Sequence, residues 1–592
     1  MDNTIRKEIE QLEADLKKAG HDISDPVAGL IVTALLHQAQ KIRDEIENMP
    51  QKVADRLCTY FIPRNKTGAV PSICLVRPEL KSRKGLEPHV LTSGTVFSYK
   101  LDAKQTLSYS PLFANLIIPF SRLHLLTPHV LKCGESVRKV TTGRKGQVWL
   151  GMEVDTEIET FNGLSFLIKG TGGLLPERIS VGNGSVGLAY SPVSRTEDIP
   201  MLEPFDSQQS MDVFLEVLSC WKSVLSNMED ARLFYITDSL DDRDAFKCRA
   251  YPKAFQQMLE SSELDLFENN TLWVLFDFGD DYEVPDEIEI IPNAVPVANV
   301  SQYSVTLTQT SPMARLTKND GSFFLKVVET SSSSHKQGFS MVDDEVVIRD
   351  FGASCYDSNA LYRDVRNLYN HFVDDYHAFM EYHGLKDGEL IKSLRETVNR
   401  IGKSVMSGQE GRAMFDEGVY VMRNVNLAGQ TSSIRVSYLT THGALGNTPK
   451  AGEMMENRKD AALEKDVAVI MSGTGGEDKA DADRKYELLR YYTLTSDRLY
   501  TKMDIDAFLR MQLLKEFGKD EVRRIGYNIT VQGAGCGPKL GRGLYVDIFF
   551  KDSKNYQKAR SVSLDRKLRQ LMTEKSCISM PIMVNLSCME NY

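Results

Sequence analysis

The period of the hydrophobic pattern changes sharply at residue 64, and no other feature does more to limit what this chain can fold into. Before that point apolar side chains recur every three or four positions. Ile5, Ile9, Leu12 and Leu16 fall at spacings of four, three and four, a short heptad seam. Gly20 to Asp25 breaks it, and Pro26 opens a second helix with Asp25 placed as its N-cap. Val27, Leu30, Ile31, Ala34, Leu35, Ile42 and Ile46 form its apolar face, and a shorter helix carries Val53, Leu57 and Phe61 to Pro63. From residue 64 to about 200 the period drops to two, with short runs divided by Gly and Pro. Val148, Leu150, Met152 and Val154 alternate, as do Leu164, Phe166 and Ile168 after Asn162-Gly163.

The texture keeps switching. Residues 205–225 read as helix, and strands return at Trp273–Phe278 and Glu287–Ile291; Ser331–Ser334 reads as a loop tip. Leu361, Val365, Leu368, Phe372, Tyr376 and Phe379 then hold helical spacing, as do Leu390, Ile391, Leu394, Val398, Ile401 and Val405. Residues 418–470 are mixed, with strand runs VYVMRNV and SIRVSYL, and the charged segment Glu453–Asp466 reads as a solvated helix face. The last ninety or so residues read helix, strand, strand, helix, strand, over Ile505–Phe517, Gly526–Gln532, Gly543–Phe550, Leu564–Met572 and Ser579–Asn585. A small, ferredoxin-like α/β sandwich is the expectation there.

The fold class expected is therefore α+β and multidomain. Residues 1–63 would be an N-terminal helical arm, 64–200 a first β-sandwich wing domain and 201–345 a second, mainly β wing. Residues 346–415 would form a central helical region, 416–500 a mixed β and loop region, and 501–592 the C-terminal domain. A length of 592 residues accommodates several domains of ordinary size.

Composition excludes some functions and leaves others open. Lys and Arg number 71 against 81 Asp and Glu, a net charge of −10, which argues against a dedicated nucleic-acid binder. No apolar run approaches the roughly 18 residues of a membrane helix, and the opening residues lack the apolar core of a secretory signal. A soluble, cytoplasmic chain is expected. Nine cysteines, no two closer than 11 residues, give neither a zinc spacing nor a disulfide framework and are expected as buried thiols.

Chemical motifs are sparse. The chain has no GxxxxGK[ST], HExxH or GxSxG, and scattered Ser, His and Asp draw no triad. The Gly-rich stretch Gly533–Gly543 is followed by a strand and contains Pro538, so it reads as a loop between two strands and not as a phosphate cradle, which needs a helix N-terminus. His371, Asp374, His377 and Glu381 share one predicted helix, with Asp374 and His377 three apart as in di-iron helices. That motif occurs once, where a di-iron bundle needs two, so the group is expected to be a polar helix flank that binds no metal. His124 and His129 are equally unsupported as ligands. The expectation is no catalytic residue, no cofactor and no metal.

Several stretches in order resemble a known family. Asp25-Pro26-Val27 opens a long helix, followed by Phe61-Ile62-Pro63, Val70-Pro71-Ser72 and Ser93-Gly94-Thr95. Ile291-Pro-Asn293-Ala-Val-Pro296-Val-Ala-Asn299 and Leu164–Gly170 come later. This order is similar to that of the TssF (ImpG or VasA) family of type VI secretion baseplate components. Gly475-Gly476-Glu477-Asp478, Arg490 and Thr495-Ser-Asp-Arg-Leu-Tyr-Thr501 with Asp504-Ile505 resemble phage baseplate J-like and wedge proteins. The matched positions run from about 25 to 505. The opening and residues 330–470 depart from the commoner pattern, which implies a divergent branch.

The resemblance implies a non-enzymatic subunit of a wedge with TssG, TssK and TssE around the VgrG spike hub, self-associating as a dimer. It also implies a cytoplasmic place at the inner face of the cytoplasmic membrane, reached through the baseplate. Ile5, Ile9, Leu12 and Leu16, with Leu361, Val365, Leu368 and Phe372, are the candidate partner interface, because short helices are marginal alone and must bury such stripes. Packing of 361–379 against 390–405 within the chain accounts for the second seam equally well. A phage-like contractile tail protein and a multidomain hydrolase are the competing readings.

Overall fold

The computed structural model describes, with short breaks, residues 57–62, 67–189, 231–236, 248–351, 366–374, 392–400, 418–423, 433–532 and 543–589. The chain divides into two compact units, one comprising Met1–Val70, Asp212–Arg232 and Glu477–Tyr592, the other Pro71–Met211 and Leu233–Gly476. The fold class is α+β with several sheets. No helix among the described residues is long and apolar enough to cross a membrane.

The larger unit is built on a closed barrel of six antiparallel strands. Its order is Ile73–Arg77, Val295–Ala298, Thr106–Pro111, Phe97–Lys100, Met454–Asn457 and Asp466–Thr474, which pairs back with Ile73–Arg77. Alternate residues of a strand point the same way, so Cys74 and Val76, Leu107 and Tyr109, Val295 and Val297, and Val467 and Val469 fill the inside.

Beside the barrel lies a sandwich. A seven-stranded sheet contains Gln147–Glu153 and Thr271–Asp277 at its centre, and a four-stranded sheet contains Ser165–Lys169 and Ala231–Ile236. The alternating Val148, Leu150 and Met152 face the space between them, where Phe166, Phe234 and Phe276 meet with ring centroids 5.5–6.0 Å apart. The opposite face of the larger sheet is also covered. Trp149 and Trp273 pack there on Phe255, of the short helix Phe255–Met258, and on Phe267, just after a second short helix, Ser261–Leu264. A second sandwich sets Ser301–Thr308, Ser433–Thr441 and Phe323–Ser332 over Gly418–Arg423 and Val346–Phe351, around Leu307, Val421 and Val436.

Three expectations change. The boundary expected near residue 200 does not separate the β layers, because Gln147–Glu153 pairs along its length with Thr271–Asp277. The region 346–415 opens with strand Val346–Phe351, paired with Gly418–Arg423; within that region 392–400 is helical. The segment Glu453–Asp466 is a barrel hairpin and not a helix. The Asn457 amide donates to the Asp460 carbonyl at 2.7 Å, and Asp460 and Ala462 N–H groups bond back to Asn457 and Asp460 side chains. Asn and Asp that bond nearby backbone draw it out of helical geometry, and Met455 and Leu463 are buried inside the barrel.

In the smaller unit, helices Ala482–Thr495 and Lys502–Phe517 precede a sheet with Gly543–Phe550 at its centre, antiparallel to Ile525–Gln532 and parallel to Ile582–Cys588. Helices Ser553–Ser561 and Leu564–Lys575 make the crossover that a parallel pair requires. Elements follow the expected order with two extra helices, Lys519–Val522 and Ser553–Ser561, and among the described residues this sheet has three strands where a ferredoxin-like one has four.

Candidate functional site

Three of the residues that carry the family resemblance, Ser72, Asn299 and Gly476, are far apart in sequence and come together at one end of the barrel. Asn299 follows strand Val295–Ala298 and is fully buried. Its backbone N–H donates to the Ser72 carbonyl at 2.8 Å, and its amide nitrogen donates to the Ser108 carbonyl at 3.0 Å. Its amide oxygen accepts from the His442 N–H at 2.8 Å and the Thr441 hydroxyl at 3.2 Å. One side chain thus joins the barrel to strand Ser433–Thr441 of the second sandwich. In a dry interior such bonds are strong, and any left unmade is costly.

Backbone closeness completes the knot. After His442 the chain makes a 3₁₀ turn, Gly443–Asn447, and the Tyr109 hydroxyl donates to the Gly446 carbonyl at 2.7 Å. Asn447 clamps Gly476 reciprocally, donating to its carbonyl and accepting from its N–H, both at 2.9 Å. A Cβ on Gly476 would stand 2.3 Å from the Gly443 carbonyl oxygen, and one on Gly446 would stand 2.9 Å from the Cβ atoms of Asn299 and Ser72. Only glycine fits at either place. Burial raises the Tyr109 phenol above its ordinary pKa and lowers the His442 imidazole, so both are neutral donors or acceptors here.

Two further motif residues do similar work. Asn293, in the left-handed region at φ 57°, accepts from the Ile118 N–H at 3.1 Å and donates to the Ile118 carbonyl at 2.9 Å. Its side chain therefore replaces a strand partner, in a backbone conformation that asparagine tolerates. The Thr95 hydroxyl donates to Asp460 at 3.4 Å, and His89 Nε2 lies 2.7 Å from the same carboxylate. Burial works to raise the Asp460 carboxyl, but these bonds and the Ala462 N–H outweigh it and hold it below the usual range.

In the smaller unit, Val70 and Glu477 exchange backbone hydrogen bonds at 2.8 and 2.9 Å. The Glu477 carboxylate lies between Arg484 and Lys515. Burial pushes its pKa up, yet the two cations prevail and bring it down to about 2. Asp481 caps the following helix by accepting from the Arg484 N–H at 2.8 Å. Arg490 sits 3.7 Å from Asp506. The run Thr495–Thr501 is a corner between two helices. Ser496 and Asp497 adopt φ of 47° and 61° and end one helix, while Thr501 and Asp504 form a capping box that starts the next.

The eight candidate interface residues, Ile5, Ile9, Leu12, Leu16, Leu361, Val365, Leu368 and Phe372, all lie outside the described residues. His371 and Asp374 are exposed on a helix; His377 and Glu381 lie outside the description. His124 is a buried core histidine, 2.8 Å from Glu153 and stacked on Trp273. Among the described residues no group of three or more His, Cys, Asp or Glu could hold a metal. Nothing in the local sequence marks Thr441, His442 or Asn447, because their partners lie far along the chain.

These residues define a class: a multi-sheet chain whose distinctive side chains bind its own backbone at junctions between modules. No protein-family model and no curated protein matches the sequence. Among solved structures, the chain is similar to a chain of a type VI secretion TssK–TssF–TssG baseplate subcomplex, at 10% identity over 95% of both chains with a TM-score of 0.41. It is also similar to a chain of a type VI secretion baseplate complex, at 13% identity over 98% of this chain and 93% of that one, TM-score 0.32. A third likeness, to the anti-feeding prophage baseplate, has 8% identity over 98% and 70% of the two chains and a TM-score of 0.27. TM-scores below 0.5 do not establish a common fold.

Proposed function

We propose that this chain is a structural, non-catalytic subunit of a type VI secretion baseplate, a divergent TssF-like member of the wedge. The observation that carries the reading is the ordered set of family-like motifs from residue 25 to 505. The structure gives those motifs a purpose that suits a frame. Ser72, Asn293, Asn299, Gly476 and Glu477 hold modules in register through bonds to backbone and neighbouring side chains.

In this reading the partners are TssG, TssK and TssE around a VgrG hub, with a second copy of the chain in the same wedge. The assembly is cytoplasmic and docks at the inner face of the membrane. The heptad-like stripes of the N-terminal arm and of 361–379 join an intersubunit helical bundle. Apolar side chains exposed in the smaller unit, Phe61 at 55% and Met503 at 69%, favour a covered surface and self-association of the chain when alone.

The test pairs co-purification with charge placed on the stripes. Leu12→Asp and Leu368→Asp should leave circular dichroism unchanged and abolish pull-down of a co-expressed TssG-like partner, since an unpaired carboxylate would be desolvated. Retained pull-down with a lowered melting temperature would place the stripes inside the chain and sink the bundle. A wild-type chain that binds none of the neighbouring baseplate proteins would sink the function.

A further inference from the structure

Charge is distributed unevenly along this acidic chain. Between Ala103 and Met152 the only acidic residue is Glu135, against Lys104, Arg122, Lys132, Arg138, Lys139, Arg144 and Lys145. Much of that charge gathers on one hairpin. Strands Val130–Cys133 and Ser136–Lys139 pair antiparallel, and the second is the last strand of the seven-stranded sheet. All four of its residues are exposed, Val137 to 65%.

The register shows which backbone groups this edge offers. The Val140 N–H donates to the His129 carbonyl at 2.9 Å, so that pair is hydrogen-bonded. In an antiparallel ladder bonded and non-bonded pairs alternate. Arg138 with Leu131 and Ser136 with Cys133 are then bonded pairs, and Val137 and Lys139 turn their N–H and C=O groups outward. These are the groups another strand would use.

Side-chain chemistry selects the strand. Glu283 lies near Lys145 and His129, and Arg138 reaches only the Ser262 carbonyl at 3.4 Å. Among the described residues no carboxylate lies within ion-pair distance of Arg122, Arg138 or Lys139. Lysine on a sheet edge ordinarily repels stray strands. That guard acts against neutral and basic strands, and an acidic one turns it into attraction.

We infer that strand Ser136–Lys139 is a docking edge for an extended, acidic segment of another protein, which adds as an eighth strand of the sheet. The exposed Val137 side chain takes an apolar contact from that segment. A bare polyanion would use the basic side chains and leave the backbone groups idle, which is why an edge unpaired among the described residues favours a peptide. The inference is independent of the baseplate reading.

The probe is a fluorescent eight-residue peptide alternating valine and glutamate, with three controls. These are its valine–lysine counterpart, the same acidic peptide N-methylated at alternate residues, and a single-stranded oligo-dT. Anisotropy with the full chain should show saturable, salt-sensitive binding of the acidic peptide alone. Val137→Pro removes an outward N–H and no bond of the sheet, so it should weaken binding by about tenfold or more at unchanged melting temperature. Arg138→Glu with Lys139→Glu should do the same. The N-methylated peptide makes the same test without altering the protein, should Val137→Pro unfold it. No saturable binding, equal binding of the N-methylated or valine–lysine peptide, or oligo-dT binding that competes with the acidic peptide would each overturn the inference.

Discussion

Removing the charge of Glu477 should loosen the helices that it ties. Its carboxyl has a pKa of about 2 in the folded chain against 4.5 ordinarily, because Lys515 and Arg484 flank it. A difference of roughly 2.5 units corresponds to about 3 kcal/mol of stabilisation at neutral pH. With a fifth of the side chain exposed (22%), screening trims this towards about 2 kcal/mol. In Glu477→Gln the two cations also face each other without a counter-charge. Hydrogen exchange followed by mass spectrometry should show amides of 482–495 and 502–517 opening about 30- to 100-fold more often, at roughly 1.4 kcal/mol per tenfold. The pH dependence has a definite sign. A carboxyl whose folded pKa is depressed contributes fully above about pH 4.5 and loses its contribution as the pH falls towards 2. The gap in urea midpoint between wild type and Glu477→Gln should therefore be widest near neutrality and narrow by more than half at about pH 3. Protection within twofold of wild type, or a gap that stays constant to pH 3, would refute the reasoning.

Asn299→Ala removes one donor and two accepted bonds and leaves the buried His442 N–H without its partner. It should cost about 3–5 kcal/mol, seen as a lowered melting temperature and reduced yield. Gly476→Ala, whose Cβ would meet the Gly443 oxygen, should fail to give folded protein, whereas Gly526→Ala, with nothing within 4 Å, should behave as wild type. Solubility assays and circular dichroism decide between them. Elemental analysis of purified protein should find no stoichiometric iron, manganese or zinc; metal that vanishes in His377→Ala would reverse the reading of the His371, Asp374 and His377 group.

What could be read in the sequence was whatever is written locally. The alternation at Val148–Val154 marks a real strand, and the C-terminal strands and helices fall close to their expected bounds. The Gly533–Gly543 stretch does join two paired strands, Ile525–Gln532 and Gly543–Phe550. The barrel was not readable, because Ile73 pairs with Ala298 and Thr474, and no period of two or 3.6 encodes such distances. At Glu453–Asp466 charge density suggested a helix, while Asn457 and Asp460, which could have signalled a turn, decide the backbone. The candidate site was half legible. Ser72, Asn299 and Gly476 stand in motifs that the sequence shows, but their role depends on Thr441, His442 and Asn447, whose side chains look ordinary in their own surroundings.

Closing that barrel also sets a timetable for synthesis. Once strand Ile73–Arg77 has left the ribosome, one of its two neighbours, Asp466–Thr474, is made some 400 residues later, since Thr474 is the partner of Ile73. At roughly 5–20 residues per second the nascent chain waits about 20–80 s with that strand edge bare. Throughout that interval the nascent protein can pair wrongly with its neighbours on the same polysome. Slower growth at low temperature lengthens the wait, so yield should depend on whatever shields the unfinished chain as much as on the stability of the finished one.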